Sequence, residues 1–318
     1  MQEKNTTIIT EFLLLGFQVN QGLRIFLFCL FFVTYFLIIY GNLLIITLVS
    51  TSKNLHTPMY FFISQLSISD ILLTTNIVPN MLHILLTNEG TITFIGCITQ
   101  FYFFCGSEAA ECLLLTVMSY DRYVAICNPL HYTAIMTVRH CVTLSAFCWI
   151  SGFSLNLIES ISTAKLNFCD SNTIDHVFCD LVPLLELSCS DTFIVDLEIY
   201  LLSIPTLIIP STIIIMSYTY IILTVLKISS STGRHKAFST CSSHLTVVSI
   251  FYWTMFSVYV VPTKGQTFTT SKILSLLYTV FTPMANPFLY SLGNKDIKKA
   301  IQEIIYKGVI WKNIHNIP

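Results

Sequence analysis

The sequence predicts an all-α membrane protein: a seven-transmembrane helix bundle followed by a short amphipathic C-terminal helix. Three observations lead there. Only 10% of the 318 residues are charged and 54% are apolar, whereas a soluble globular chain carries about 25% charged residues. Seven apolar runs of 18 to 34 residues follow one another, and a helix needs about 20 residues to cross a bilayer core of about 30 Å. Apolarity within each run is continuous, not alternating, so helices and not a closed barrel satisfy the backbone in lipid. The net charge of −1, from 16 basic and 17 acidic residues, leaves no basic excess to hold phosphates. Nucleic acid is therefore excluded as a partner.

Residues 1–24 form an N-terminal segment that carries the only glycosylation sequon, Asn5-Thr6-Thr7. Its apolar stretches are short and broken by charge. No cleavable signal peptide is expected, and the first run directs insertion. The runs cover 25–49, 59–86, 94–127, 141–158, 199–226, 237–261 and 273–292, and together make a transmembrane domain over 25–292. Five lack any charge; 59–86 holds Asp70, and 94–127 holds Glu108, Glu111, Asp121 and Arg122. In the tail, 293–318, Ile297, Ile301, Ile304 and Ile305 recur at helical spacing against Lys295, Lys298 and Lys299. That stripe reads as an amphipathic helix on the inner leaflet of the lipid bilayer.

Segments 51–58, 128–139, 227–236 and 293–318 hold ten Lys and Arg, and the alternate set holds five. The positive-inside bias then expects a multi-pass protein of the plasma membrane with its N-terminus extracellular and its C-terminus cytoplasmic. Four cysteines (Cys97, Cys169, Cys179, Cys189) fall outside, in an oxidising compartment, and spacing alone leaves three pairings open. His176 beside Cys179 reads as part of a disulfide-bonded loop and not as a metal pair.

Charge inside a span costs about 2.5–3.5 kcal/mol at mid-bilayer, so each such residue needs a reason. Asp121 and Arg122 stand at the end of their run, where snorkelling relieves the cost. Asp70 and Glu111 are deeper, and two buried carboxylates repel unless a cation lies between them or they share a proton. Asn286-Pro287 interrupts the last run and frees a backbone carbonyl; Pro79, Pro205 and Pro210 act similarly. Phe104, Cys105, Glu108 and Cys112 share one helix face. No nucleophile–base pair or metal-ligand cluster supports an enzyme, and neither an internal repeat nor a ring of pore charges supports a transporter.

The string Met118-Ser-Tyr-Asp-Arg-Tyr-Val-Ala-Ile-Cys127 resembles the signature of rhodopsin-like G-protein-coupled receptors in its odorant-receptor version. Further strings match in order: Leu55-His-Thr-Pro-Met-Tyr-Phe-Phe62, Ser217-Tyr218, Lys236-Ala-Phe-Ser-Thr-Cys-Ser-Ser-His-Leu245 and Pro283-Met-Ala-Asn-Pro-Phe-Leu-Tyr-Ser-Leu292. Leu15-Gly-Phe17 and Gly41-Asn42 also fit. The long second outer loop with three cysteines resembles that of class II (tetrapod) odorant receptors. Ser119, Trp253 and Gly293 depart from the usual Ala, Gly and Arg; Trp253 would alter packing of the sixth helix.

The resemblance implies an odorant receptor that binds small volatile, mostly apolar ligands in the outer half of the bundle. It also implies activation of a stimulatory heterotrimeric G protein and a rise in cyclic AMP. The implied pocket uses Phe104, Cys105, Glu108 and Cys112 with Tyr252, Met255, Phe256 and Tyr259, and, less directly, Leu202, Ser203, Thr206, Tyr278 and Thr279. Asp121, Arg122 and Tyr123 are the implied coupling switch, steadied by Tyr218 and Tyr290. No cofactor is implied beyond a sodium ion at Asp70 and Glu111, flanked by Asn42 and Asn286; the alternative is a protonated, hydrogen-bonded carboxyl pair. The implied disulfides are Cys97–Cys179 and Cys169–Cys189, the second closing a loop worth roughly 3 kcal/mol. Glu108 is an acid beyond the family's pattern, one turn outward from Glu111. The favoured role for it is a neutral hydrogen-bond donor to a carbonyl or hydroxyl ligand, ahead of an ionised partner for an amine. An amine receptor would carry a third-helix Asp at the outer end, and only Glu108 stands near.

Overall fold

A helix that is apolar all round can face only lipid or other helices, and the computed structural model shows how these seven divide the two. It describes residues 9–169, 171–259, 268–292 and 296–303, and for 235–240, 256–259, 268–271 and 291–292 it describes the backbone alone. Among the described residues, seven long helices follow one another. They are Gln21–Thr51, Pro58–Thr87, Phe94–Cys127, Val138–Ala164, Phe193–Leu226, Ser231–Tyr259 and a seventh made of Phe268–Leu276, Leu277–Phe281 and Thr282–Leu292. Local chemistry sets their ends. Asn20, Thr93 and Thr137 accept N-terminal amide bonds from Leu23, Gly96 and His140. Pro58 opens the second helix. Asn88, in the left-handed region at φ 78°, closes it.

The third helix is the axis. Its most apolar stretch is 72% buried, against 11% for the first and fifth, which turn their Phe, Leu and Ile side chains outward. It packs on the second, fourth, fifth and sixth helices. At Gly152 on the fourth helix a Cβ would meet the Ala110 amide nitrogen at 2.8 Å and the Gly106 carbonyl at 3.0 Å, so the two backbones touch. Trp253 is 72% exposed on the outside of the sixth helix. It changes the bundle's outer surface and not its core, contrary to the expectation that it alters helix packing.

Two helices carry a wide π-helical turn, Ile204–Ile208 around Pro205 and Leu277–Phe281. Such turns recur at functional sites, and Tyr278, Thr279 and Thr206 all sit in them. In the short helix over 296–303, Ile297 and Ala300 are buried against the bundle while Lys298 and Lys299 are exposed. Gly293, Lys295, Ile304 and Ile305 lie outside the described residues.

At the end of the bundle that carries the N-terminal segment, a three-stranded sheet forms that the sequence reading lacked. Glu11–Leu14 pairs antiparallel with Gly90–Thr93 and parallel with Thr173–Ile174. The chain then turns at Gly16, φ 61°, where a Cβ would lie 2.4 Å from Ile84 Cγ2. Only glycine fits there. Lys272 Nζ donates to the Gly16 carbonyl at 2.7 Å and to Asp175 Oδ1 at 2.5 Å, tying this sheet to the seventh helix. Disulfides join Cys97 to Cys179 and Cys169 to Cys189, the pairing that the resemblance implies. Asn5 lies outside the described residues.

Candidate functional site

A cavity of about 320 Å³ opens between the third, fourth and fifth helices, within the usual size range of small-molecule sites. The Cys97–Cys179 bond draws the loop after the fourth helix across its mouth. Gln100 Oε1 accepts from the Cys179 amide at 2.9 Å, and the next turn of loop, Leu181–Glu186, buries Leu181 and Leu184. His176 is neutral and satisfied there. Its Nδ1 donates to the Phe178 carbonyl at 3.2 Å, and its Nε2 lies 3.4 Å from the Ser275 hydroxyl. Burial pushes its pKa down to about 4. The metal pairing with Cys179 is closed off, since that cysteine is bonded to Cys97.

Of the residues expected around a ligand, Phe104, Cys105, Glu108 and Cys112 line the cavity on the third helix. Leu202, Ser203 and Thr206 line it on the fifth, and Met255 on the sixth. Tyr252 is one layer behind, its hydroxyl 3.0 Å from Cys112 Sγ. Tyr278 and Thr279 are not on the cavity wall; Tyr278 packs on Phe104 with ring centroids 5.8 Å apart, and the Thr279 hydroxyl donates to the Ser275 carbonyl. The side chains of Phe256 and Tyr259 lie outside the described residues. The sequence reading missed Asn156 and Glu159 on the fourth helix, Asp180 in the loop, and Asp196 and Ile199 near the start of the fifth. Burial pushes the Asp180 carboxyl up to about 6, and the Leu181 amide it accepts from opposes that shift.

Below the cavity, Asn286 Nδ2 donates to Asp70 Oδ1 at 3.0 Å, to Asp70 Oδ2 at 3.2 Å and to Glu111 Oε1 at 3.5 Å. Asp70, Glu111, Asn42 and Asn286 are all buried. Asn42 Nδ2 donates to the Ile38 and Pro283 carbonyls, while Asn42 Oδ1 and Asn286 Oδ1 have no hydrogen-bond partner among the described residues. Two carboxyls and two spare amide oxygens are the ligand type a hard cation takes, with the Asn286 nitrogen and not its oxygen turned to the carboxyls.

At the far end of the third helix, Arg122 pairs with the fully buried Asp121, whose other oxygen accepts from the Tyr132 hydroxyl at 2.8 Å. Tyr123 packs edge-on against Tyr220 of the fifth helix. The Tyr218 hydroxyl bonds His244 Nδ1 of the sixth helix, and Tyr290 lies buried in the same cluster.

A seven-helix bundle with a cavity under a disulfide-pinned loop at one end and a buried Asp–Arg pair at the other defines the rhodopsin architecture. Squid rhodopsin superposes with a TM-score of 0.72 over 92% of this chain and 88% of its own, at 18% identity. A family model described as olfactory receptor matches residues 28–308. Olfactory receptor 5AP2 of Mus musculus is 44% identical over 98% of both chains. Olfactory receptor 1J2 of Homo sapiens is 43% identical over 98% of this chain and 99% of its own. The chain belongs to the olfactory receptor family, whose members are G-protein-coupled receptors and not enzymes.

Proposed function

We propose that this chain is an odorant receptor at the plasma membrane, N-terminus extracellular and C-terminus cytoplasmic, coupled to a stimulatory heterotrimeric G protein. A small volatile ligand enters the cavity beneath the second outer loop and turns the receptor on through the third and sixth helices. The carrying observation is the cavity, sized for a small molecule and walled largely by apolar side chains. The Asp121–Arg122 pair is its switch: held by Asp121, whose other oxygen is fixed by the Tyr132 hydroxyl, Arg122 is released towards the G protein when the sixth helix moves. A sodium ion held by Asp70 and Glu111, with Asn42 and Asn286 as neighbouring polar groups, would offset the mutual repulsion of the two carboxyls.

Expression with a stimulatory G protein and a broad odorant panel tests the reading. Ligand-dependent cyclic AMP supports it. Uptake of ligand without cyclic AMP would make the protein a transporter instead.

A further inference from the structure

The cavity carries an unusual wall. Glu108 from the third helix, Glu159 from the fourth, Asp180 from the covering loop and Asp196 from the fifth all line it, and no Lys, Arg or His does so among the described residues. They come from four different elements, and Asp180 is near enough to interact with both Glu108 and Glu159.

Two hydroxyls in the wall have already committed their protons. The Ser203 hydroxyl donates to the Tyr200 carbonyl at 2.8 Å, and Thr206 donates to the Leu202 carbonyl at 2.7 Å. Asn156 Nδ2 donates to the Gly152 carbonyl at 2.7 Å. What the two hydroxyls have left to offer a ligand is acceptor capacity, while Asn156 keeps one amide proton and its oxygen. Two carboxylates are partly occupied: Asp180 Oδ1 accepts from the Leu181 amide at 2.8 Å and Asp196 Oδ2 from the Thr192 hydroxyl at 2.9 Å. Glu108 is different. It is 5% exposed and lines the cavity, and neither of its oxygens has a hydrogen-bond partner among the described residues. A buried carboxyl left so is costly until something donates to it.

Resting on the odorant-receptor reading, we propose that this cavity selects a protonated amine, its ammonium group held by Glu108 and Asp180 with Glu159 and Asp196 around them. An ammonium brings three donors and a positive charge, which is what a wall rich in carboxyl acceptors lacks. A ligand carbonyl or carboxylate brings only further acceptors. The carbon body of the amine lies along Phe104, Ile199, Leu202 and Met255, so the ligand is an alkyl or arylalkyl amine of volatile size. This reverses the role favoured for Glu108 from the sequence, where it stood as the one acid near the outer end of the third helix. Three carboxyls from other elements change the balance.

The test compares straight-chain amines of four to eight carbons with the alcohols, aldehydes and carboxylates of equal length. Two readouts run together: thermal stabilisation of the purified receptor in detergent, and cyclic AMP in cells at matched surface expression. Amines are expected to stabilise and activate at concentrations about tenfold or more below the matching alcohols. Glu108→Gln is expected to raise the effective amine concentration by at least roughly tenfold and to shift the matching alcohols far less; Glu159→Gln shifts the amines in the same direction if Glu108→Gln fails to fold. Alcohols or aldehydes as potent as amines, or amine potency unchanged in both variants, would overturn the inference. A receptor that answers neutral odorants but no amine refutes this inference alone. Silence towards every odorant, at normal surface expression, refutes the receptor reading beneath it as well.

Discussion

Tyr218 on the fifth helix and His244 on the sixth stack with ring centroids 5.8 Å apart, and the phenol hydroxyl lies 2.5 Å from Nδ1. Both are buried, so water cannot replace the bond when it breaks. The pair ties the sixth helix to the fifth beside the Asp121–Arg122 pair. His244→Phe keeps a stacked ring and removes the acceptor. Losing about 1 kcal/mol of restraint would raise basal cyclic AMP roughly fivefold at equal surface expression. Unchanged basal signal would mean the bond does not restrain the helix.

Arg122→Ala is expected to abolish the cyclic AMP response. Asp121 is fully buried, and without its cation it keeps only the Tyr132 hydroxyl. A lone buried charge is destabilising, so the single variant should also melt earlier. Asp121→Asn with Arg122→Ala should recover the melting temperature and not the signal. A double variant that signals would show that Arg122 is not the switch.

Much of the bundle is legible as seven apolar runs, because a helix in lipid has no other way to satisfy its backbone. The acidic wall of the cavity is not, for a reason built into that same reading. Runs were ended where charge began: the fourth at 158, before Glu159, and the fifth opened at 199, after Asp196 and Glu198. Yet the helices continue through these residues, to Ala164 and back to Phe193, because their carboxyls turn into the protein and not into lipid. Asp180 is invisible for a different reason. It is brought to the cavity by long-range contacts of its loop, foremost the Cys97–Cys179 bond, 82 residues apart in sequence, and the Gln100 bond to the Cys179 amide. The small sheet is also unreadable locally, since Glu11–Leu14, Gly90–Thr93 and Thr173–Ile174 are short and pair across most of the N-terminal half of the chain. Gly16 was visible within Leu15-Gly-Phe17, though its physical reason, the φ of 61° against Ile84, was not.

Stability should depend on pH through His176. Its pKa lies at about 4 in the folded protein, against about 6.5 unfolded. Between those values the unfolded chain binds more protons, so stability falls as pH drops from 6.5 towards 4 and the loss is complete below that. The difference corresponds to about 3 kcal/mol. Lys272 opposes protonation and Asp175 favours it, and both act on the ring less than burial does. Thermal melting in detergent at pH 7 and pH 4.5 should show a larger drop for the native receptor than for His176→Gln, which cannot titrate. Equal drops would remove His176 from the pH response.

Sodium at Asp70 and Glu111 is tested without any ligand. Asn286 bridges the two carboxyls with one amide nitrogen, and one nitrogen offers two protons to three oxygens across two acids. Their residual repulsion favours either a cation or a shared proton, and the two cases respond differently to salt. A cation that binds only the folded state stabilises it in proportion to its concentration over its dissociation constant. Replacing choline by sodium at constant ionic strength should therefore raise the melting temperature by about 2 °C or more. Potassium, larger and less suited to a tight oxygen cage, should do less. Asp70→Asn should abolish the sodium response and, by removing one repelling charge, leave the receptor folded. If sodium and choline give the same melting temperature at pH 7.5 in the native receptor, the carboxyls share a proton and no cation site exists there.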